Sequence, residues 1–239
     1  MKVALDVIRH YPSLAKQQSN AIDNNEPTKR NLMHTKNKTK LAQSLLIGIA
    51  LTAVTFFTGC AVTKDYVSLA YVPQANVAKI AGADTVSVNV AVADSRSIKD
   101  KVSAKKNGYG MEMAAIIAKE DVAETLKKAV EVELANRGFH LNGGGITVGA
   151  ELSKFYSDFK TGFFSGSAVA EVTMNVQVKK AGGNIAYSKL VNGEGGKENL
   201  QLASGSNAKI ALDAALKDAV AKLFGDTAFV EVLLKAGNQ

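Results

Sequence analysis

A single cysteine, Cys60, occurs in the 239 residues, with three histidines and no tryptophan. One cysteine excludes an internal disulfide framework and any cysteine-based metal cluster. The histidines are His10, His34 and His140. Only His140 lies beyond residue 59, so a multi-histidine metal site is excluded there and a Ser-His-Asp or Cys-His set nearly so. His140 itself reads as a surface or turn residue. No G-x-S-x-G nucleophile motif occurs, and no carboxylate cluster has metal-ligand spacing. A charge excess is also missing over most of the chain. Residues 1–59 carry a net charge of +5 and residues 60–239 only +2. That nearly neutral body lacks the clustered basic face that displaces counterions from nucleic acid.

Charge is absent altogether from residues 41–59, LAQSLLIGIALTAVTFFTG. The stretch before it, His-Thr-Lys-Asn-Lys-Thr-Lys at 34–40, is basic. A basic n-region, an apolar run and a small-residue cleavage point make a secretory signal. A transmembrane anchor competes, since a span needs about 20 apolar residues. The run, however, stops at small residues and the lone cysteine, and no basic stop-transfer cluster follows. Phe57-Thr58-Gly59-Cys60 resembles the bacterial lipobox, with Phe57 where Leu, Val or Ile is usual. The resemblance implies cleavage by signal peptidase II between Gly59 and Cys60. It also implies a diacylglycerol on the Cys60 thiol and an acyl chain, such as palmitate, on the new amine. Such chains hold firmly, because each buried CH₂ contributes about 0.8 kcal/mol while one chain alone is marginal. No other cofactor is expected.

Ala61 follows the cysteine. Lipoproteins kept at the inner membrane often carry Asp there, so the resemblance points to the outer membrane, periplasmic face. Residues 1–32 are polar and precede the n-region. They read as a start-site extension with Met33 the true start; an unusually long n-region is the alternative. Residues 60–239 read as one mature domain. Its linker, residues 61–65, spans at most about 17 Å.

Periodicity predicts strands over 66–72, 85–93, 146–159, 167–179 and 184–193. In 85–93, Val86, Val88, Val90 and Val92 share one face. In 167–179 the even residues from Ala168 to Val178 are small or apolar and face one way, and Glu171, Thr173, Asn175, Gln177 and Lys179 face the other. Phe155 breaks the alternation of 146–159, which signals a bulge. Helices are predicted over 120–137, with Gly138 as the C-terminal stop, over 207–224, and over 227–235 with Asp226 as N-cap. In the first, Val122, Leu126, Val130 and Leu134 form the buried stripe, and Lys127, Lys128, Glu131 and Glu133 sit off it. Residues 97–110 read as a loop. The glycine clusters at 143–145 and 193–196 read as turns, because neither fits a phosphate-loop fingerprint. The expected fold is α+β: an antiparallel sheet of four to five strands with two main helices on one face, a two-layer sandwich.

Several of these segments, in their order, resemble the YajG-type lipoproteins of Gram-negative bacteria. They are the lipobox, Ala93-Asp94-Ser95-Arg96, Ala135-Asn136-Arg137-Gly138-Phe139, Leu152 to Asp158, and the hairpin about Gly182-Gly183. Such proteins are described mainly as uncharacterised lipoproteins, so the resemblance implies location and fold more than activity.

The candidate interaction residues are few. Asp94 and Arg96 stand at a strand end, where they bind a ligand or form a local ion pair. Phe163 and Phe164, flanked by glycines between two strands, either face a partner or membrane or fold back on the core. Lys99, Lys101, Lys105 and Lys106 touch anionic lipid heads or form a solvated loop. The leading expectation is a non-catalytic binding or assembly accessory of the envelope, with a membrane as one partner and an unidentified envelope protein or lipid as the other. A lipid- or small-ligand-binding auxiliary of envelope transport is the alternative. An envelope hydrolase is the remote one, requiring Asp94, Glu112 and Glu151 to converge.

Overall fold

The computed structural model describes residues 63–160, 162 and 165–237. Gly59, Cys60, Phe163 and Phe164 lie outside the described residues. Among those described, eight strands form one mixed sheet and three α-helices pack against it. The strands are β1 (Asp65–Val67), β2 (Ser87–Asp94), β3 (Ser103–Lys106), β4 (Glu112–Ala118), β5 (His140–Leu141), β6 (Ile146–Lys160), β7 (Gly166–Lys179) and β8 (Ile185–Leu200). The helices are α1 (Val122–Asn136), α2 (Gly205–Phe224) and α3 (Thr227–Gly237).

The α+β class holds, but the sheet is larger than expected and is not purely antiparallel. β6, β7 and β8 form the antiparallel meander. β6 also pairs in parallel with β2 along its first half and meets β3 in parallel at Ser157. β1 lies parallel to β4. Three strands escaped the sequence reading. β3 lies inside the polar stretch read as a loop, β4 follows it, and β5 is only two residues long. The strand expected over 66–72 is confined to Asp65–Val67.

Alternation decides which face is buried. Ala168, Ala170, Val172, Met174, Val176 and Val178 of β7 are all buried, while the intervening polar side chains stay partly exposed. β6 keeps the same sense through a bulge. Leu152 pairs with Met174, but Lys154 pairs with Thr173, so Ser153 is the extra residue. That one-residue insertion returns Phe155 to the core, where it is 1% exposed.

α1 is built as its sequence reads. Asp121 caps it, accepting from the amides of Ala123 at 2.7 Å and Glu124 at 3.1 Å. Gly138, at φ +99°, ends it in the left-handed region that a side chain disfavours. Glu133 departs from the reading, since it is completely buried. It accepts from the Tyr71 hydroxyl at 2.7 Å and the Gln74 amide at 2.8 Å, and it pairs with Arg137. The Arg137 guanidinium also lies 4.3 Å from the centre of the Phe224 ring. A satisfied ion pair thus ties α1 to the segment before it and to the end of α2.

The glycines at 193–196 are not a turn. They lie inside β8, under α2. A Cβ on Gly193 would sit 2.3 Å from the Ala215 carbonyl oxygen, and one on Gly195 2.2 Å from that of Ala211. Their missing side chains let helix backbone rest directly on strand backbone. α2 also guards the free edge of β8. The Glu194 amide donates to Asp218 at 2.9 Å, and Lys222 donates to the Asn192 carbonyl at 3.0 Å. These side chains occupy backbone groups that would otherwise template strand addition.

Candidate functional site

β6 is fifteen residues long and β2 only eight. The last β2–β6 pair is Asp94 with Leu152, and β3 joins β6 only at Ser157. Among the described residues, no strand therefore pairs with 153–156 of β6 on that edge, and the chain from Ser95 to Val102 passes there instead. The Ser95 amide donates to Leu152 at 2.9 Å and the Ser157 amide to Val102 at 2.8 Å, bracketing the fork. A cleft of about 220 Å³ opens within it, lined by Arg96, Ile98, Lys154, Phe155 and Tyr156 among others. A wider cleft of about 510 Å³ shares Ile98, Lys154 and Tyr156 and extends over Glu112, Asp158 and Glu171.

The structure brings Asp94 and Arg96 together as a local ion pair. Arg96 donates from Nε and an amino group to the two Asp94 oxygens, both at 2.9 Å, and its backbone amide adds a third bond at 3.0 Å. The guanidinium is nearly buried, and its other amino nitrogen has no hydrogen-bond partner among the described residues. The Arg96 hydrogen bonds hold the Asp94 carboxyl below its usual range.

Three ion pairs stand at the wider cleft. Lys101 pairs with Glu112, Lys106 with Asp158 and Lys154 with Glu171, each at 2.5 Å. The Lys154 hydrogen bond keeps the Glu171 carboxyl low. Tyr156 is pushed up to about 12, first by burial and then by the negative charge of Glu112 and Asp158. The site thus presents carboxylates paired with basic side chains, those of Asp94 and Glu171 held ionised, and a protonated phenol.

The lysines of the expected loop are structural. Lys99 donates to the Asp94 carbonyl at 2.7 Å, and Lys105, largely buried, pairs with Asp65 at 2.8 Å. The carboxylates proposed for a hydrolase do not gather. Asp94 pairs with Leu152 on the core-facing side of the sheet, whereas Glu151 pairs with Ala93 on the open side. Glu151 accepts from Ser95, and Glu112 binds Lys101. His140 is exposed in β5. Among the described residues no three His, Cys, Asp or Glu side chains group as a metal site. Sequence reasoning missed Tyr156 and its neighbours. The available signal was Lys154, Tyr156, Asp158 and Lys160, a polar row in the new phase set by the bulge.

The chain matches a family model described as "Uncharacterized lipoprotein" over residues 73–233. No curated protein matches it. A crystal structure from Xanthomonas campestris, assigned to the family DUF330, is similar at 13% identity and a TM-score of 0.50, covering 70% of this chain and 96% of that one. That likeness shows a shared fold. A minor lipoprotein from Acinetobacter baumannii is 8% identical at a TM-score of 0.40, covering 62% of this chain and 93% of its own.

Proposed function

Because the chain belongs to this family of uncharacterized lipoproteins, we propose that it is a non-catalytic accessory of the cell envelope, tethered by acyl chains on Cys60 and binding a partner at the forked edge of β6. Cleavage between Gly59 and Cys60, residence at the periplasmic face of the outer membrane, and kinship with the YajG-type lipoproteins belong to the same proposal. So does translation from Met33. No helix among the described residues is long and apolar enough to cross a membrane.

One observation carries the non-catalytic reading. The acidic groups at the fork are held ionised or paired with lysine or arginine, and Tyr156 keeps its proton far above neutral pH. General acid–base work needs a group that titrates near the working pH. The site offers instead a polar surface with an apolar contribution from the exposed Ile98 and the buried Phe155, which suits recognition. The transport-auxiliary alternative called for an apolar pocket between sheet and helices. Where α2 crosses β8 that space is closed by the glycine contacts.

A photo-crosslinking residue at Ser153, which lines the narrower cleft, tests the reading in native envelopes. A discrete adduct is expected, and Tyr156→Ala should abolish it without lowering the melting temperature. An adduct pattern indifferent to Tyr156→Ala, or turnover of an envelope substrate by the pure protein, would contradict the proposal.

A further inference from the structure

Three connections meet at one end of the sheet. The β3–β4 turn, Gly162 and Ser165 between β6 and β7, and the β8–α2 loop together line a pocket of about 290 Å³, to which Gly108 and Leu202 contribute. Apolar side chains stand out from this end. Tyr109 is 91% exposed, Leu202 75% and Met111 58%. The β3–β4 turn that carries two of them is well built. Asn107 Oδ1 accepts from the amides of Tyr109 and Met111, both at 3.0 Å, and the Asn107 amide donates to the Met111 carbonyl at 3.0 Å. The fixed turn holds Tyr109 and Met111 outward, and apolar surface displayed in this way is available for a membrane or protein contact.

The tether says what covers it. β1 runs parallel to β4, with Asp65 beside Ile116, and β4 starts just after the 107–111 turn. The chain ahead of Asp65 therefore approaches from the end that carries Tyr109 and Met111. Asp65 is fixed there by Lys105 at 2.8 Å and by the Gly205 amide at 2.8 Å, directly after the loop that carries Leu202. Cys60 lies only five residues earlier, a reach of at most about 17 Å. Lys64 and Lys160 are exposed near this end and complement anionic headgroups.

We propose that Tyr109, Met111 and Leu202 form a membrane seat, entering the bilayer interface beside the lipidated cysteine and fixing the orientation of the domain. The proposal rests on the Cys60 anchor proposed above. Acyl chains supply attachment, and the seat supplies orientation by burying apolar side chains about 5–10 Å into the headgroup boundary. It also directs the far end of β8 away from the membrane, because Leu200 pairs with Gly166 and Ile185 with Lys179 at the opposite end of the ladder.

The absence of tryptophan makes the test direct. Leu202→Trp and Ile185→Trp each place a unique fluorophore at an exposed site, roughly 50 Å apart along β8. The lipidated variants are reconstituted in phosphatidylethanolamine–phosphatidylglycerol vesicles that contain lipids brominated high on the acyl chain. In L202W, emission should shift to the blue and fall by about half or more, as for a side chain at interface depth; in I185W it should not change. Protein that floats with the vesicles while L202W stays unquenched overturns the seat and leaves the anchor standing. Failure to float, with no acyl mass on Cys60, overturns the anchor and the seat with it. Equal quenching in both variants overturns the orientation. Unquenched L202W that crosslinks to an envelope protein from position 202 assigns this end to a protein, which also overturns the proposal.

Discussion

Glu133 is the residue whose loss the fold should feel most. It is an ionised group with no solvent exposure, held by a phenol, an amide and a guanidinium. Removing one partner of a buried pair strands the other charge, which costs about 3–5 kcal/mol. Glu133→Ala should therefore lower stability by that order in denaturant titration. Glu133→Gln should cost less, because an amide oxygen still accepts from Tyr71 and Gln74. Burial alone would raise the Glu133 pKa, but the hydrogen bonds from Gln74, Tyr71 and Arg137 outweigh it and lower the carboxyl below its usual 4.5. The unfolded chain then takes up this proton at a higher pH than the folded one. The resulting stability is complete above about pH 4.5 and is lost as pH falls through the lowered folded value. Asp94, lowered by Arg96 from 3.8, acts in the same direction further into acid. Melting temperatures measured from pH 7 to pH 3 should fall toward acid, and Glu133→Gln should flatten the upper part of that fall. An unchanged slope in the variant would contradict the assignment.

Among the elements, the β8–α2 contact offers the cleanest test, because one glycine cluster contains positions of opposite kind. Gly193 and Gly195 face helix backbone, whereas the nearest atom to a Cβ on Gly196 is 3.7 Å away. Gly195→Ala should destabilise by about 1–3 kcal/mol or more through overpacking. Gly196→Ala should be close to neutral. Equal effects would mean that α2 does not lie on β8 as described. The same contact explains what sequence could and could not reveal. Strands β2, β6 and β7 were legible because Val88, Val148 and Val176 alternate with polar residues on a sheet with one open face. β8 was read only to residue 193, because the small residues that a crossing helix demands look like turn residues. β3 was hidden because Lys105 points inward to Asp65, forty positions upstream, and local composition does not report a distant partner. β4 was missed because its Glu-Met-Ala-Ala-Ile-Ile-Ala run does not alternate in polarity. The site was legible to a similar degree. Asp94 and Arg96 were visible at their strand end, but the cleft depends on where β2 stops along β6, a matter of register between segments more than fifty residues apart.

For the molecule as a whole, the arguments converge on one end. The chain enters at β1, the apolar loop tips stand beside it, and the ion-paired fork lies on the long central strand. An anchor at Cys60 would hold this end at the bilayer and leave the edge of β6 available to a partner. The measurement that tests this most directly is mass spectrometry of the N-terminal peptide of the protein recovered from separated envelope membranes. The account predicts a chain that begins at Cys60, carries diacylglycerol and an N-acyl chain, and fractionates with the outer membrane, while Cys60→Ser accumulates as an uncut precursor. An uncut chain with an unmodified Cys60 thiol would contradict it.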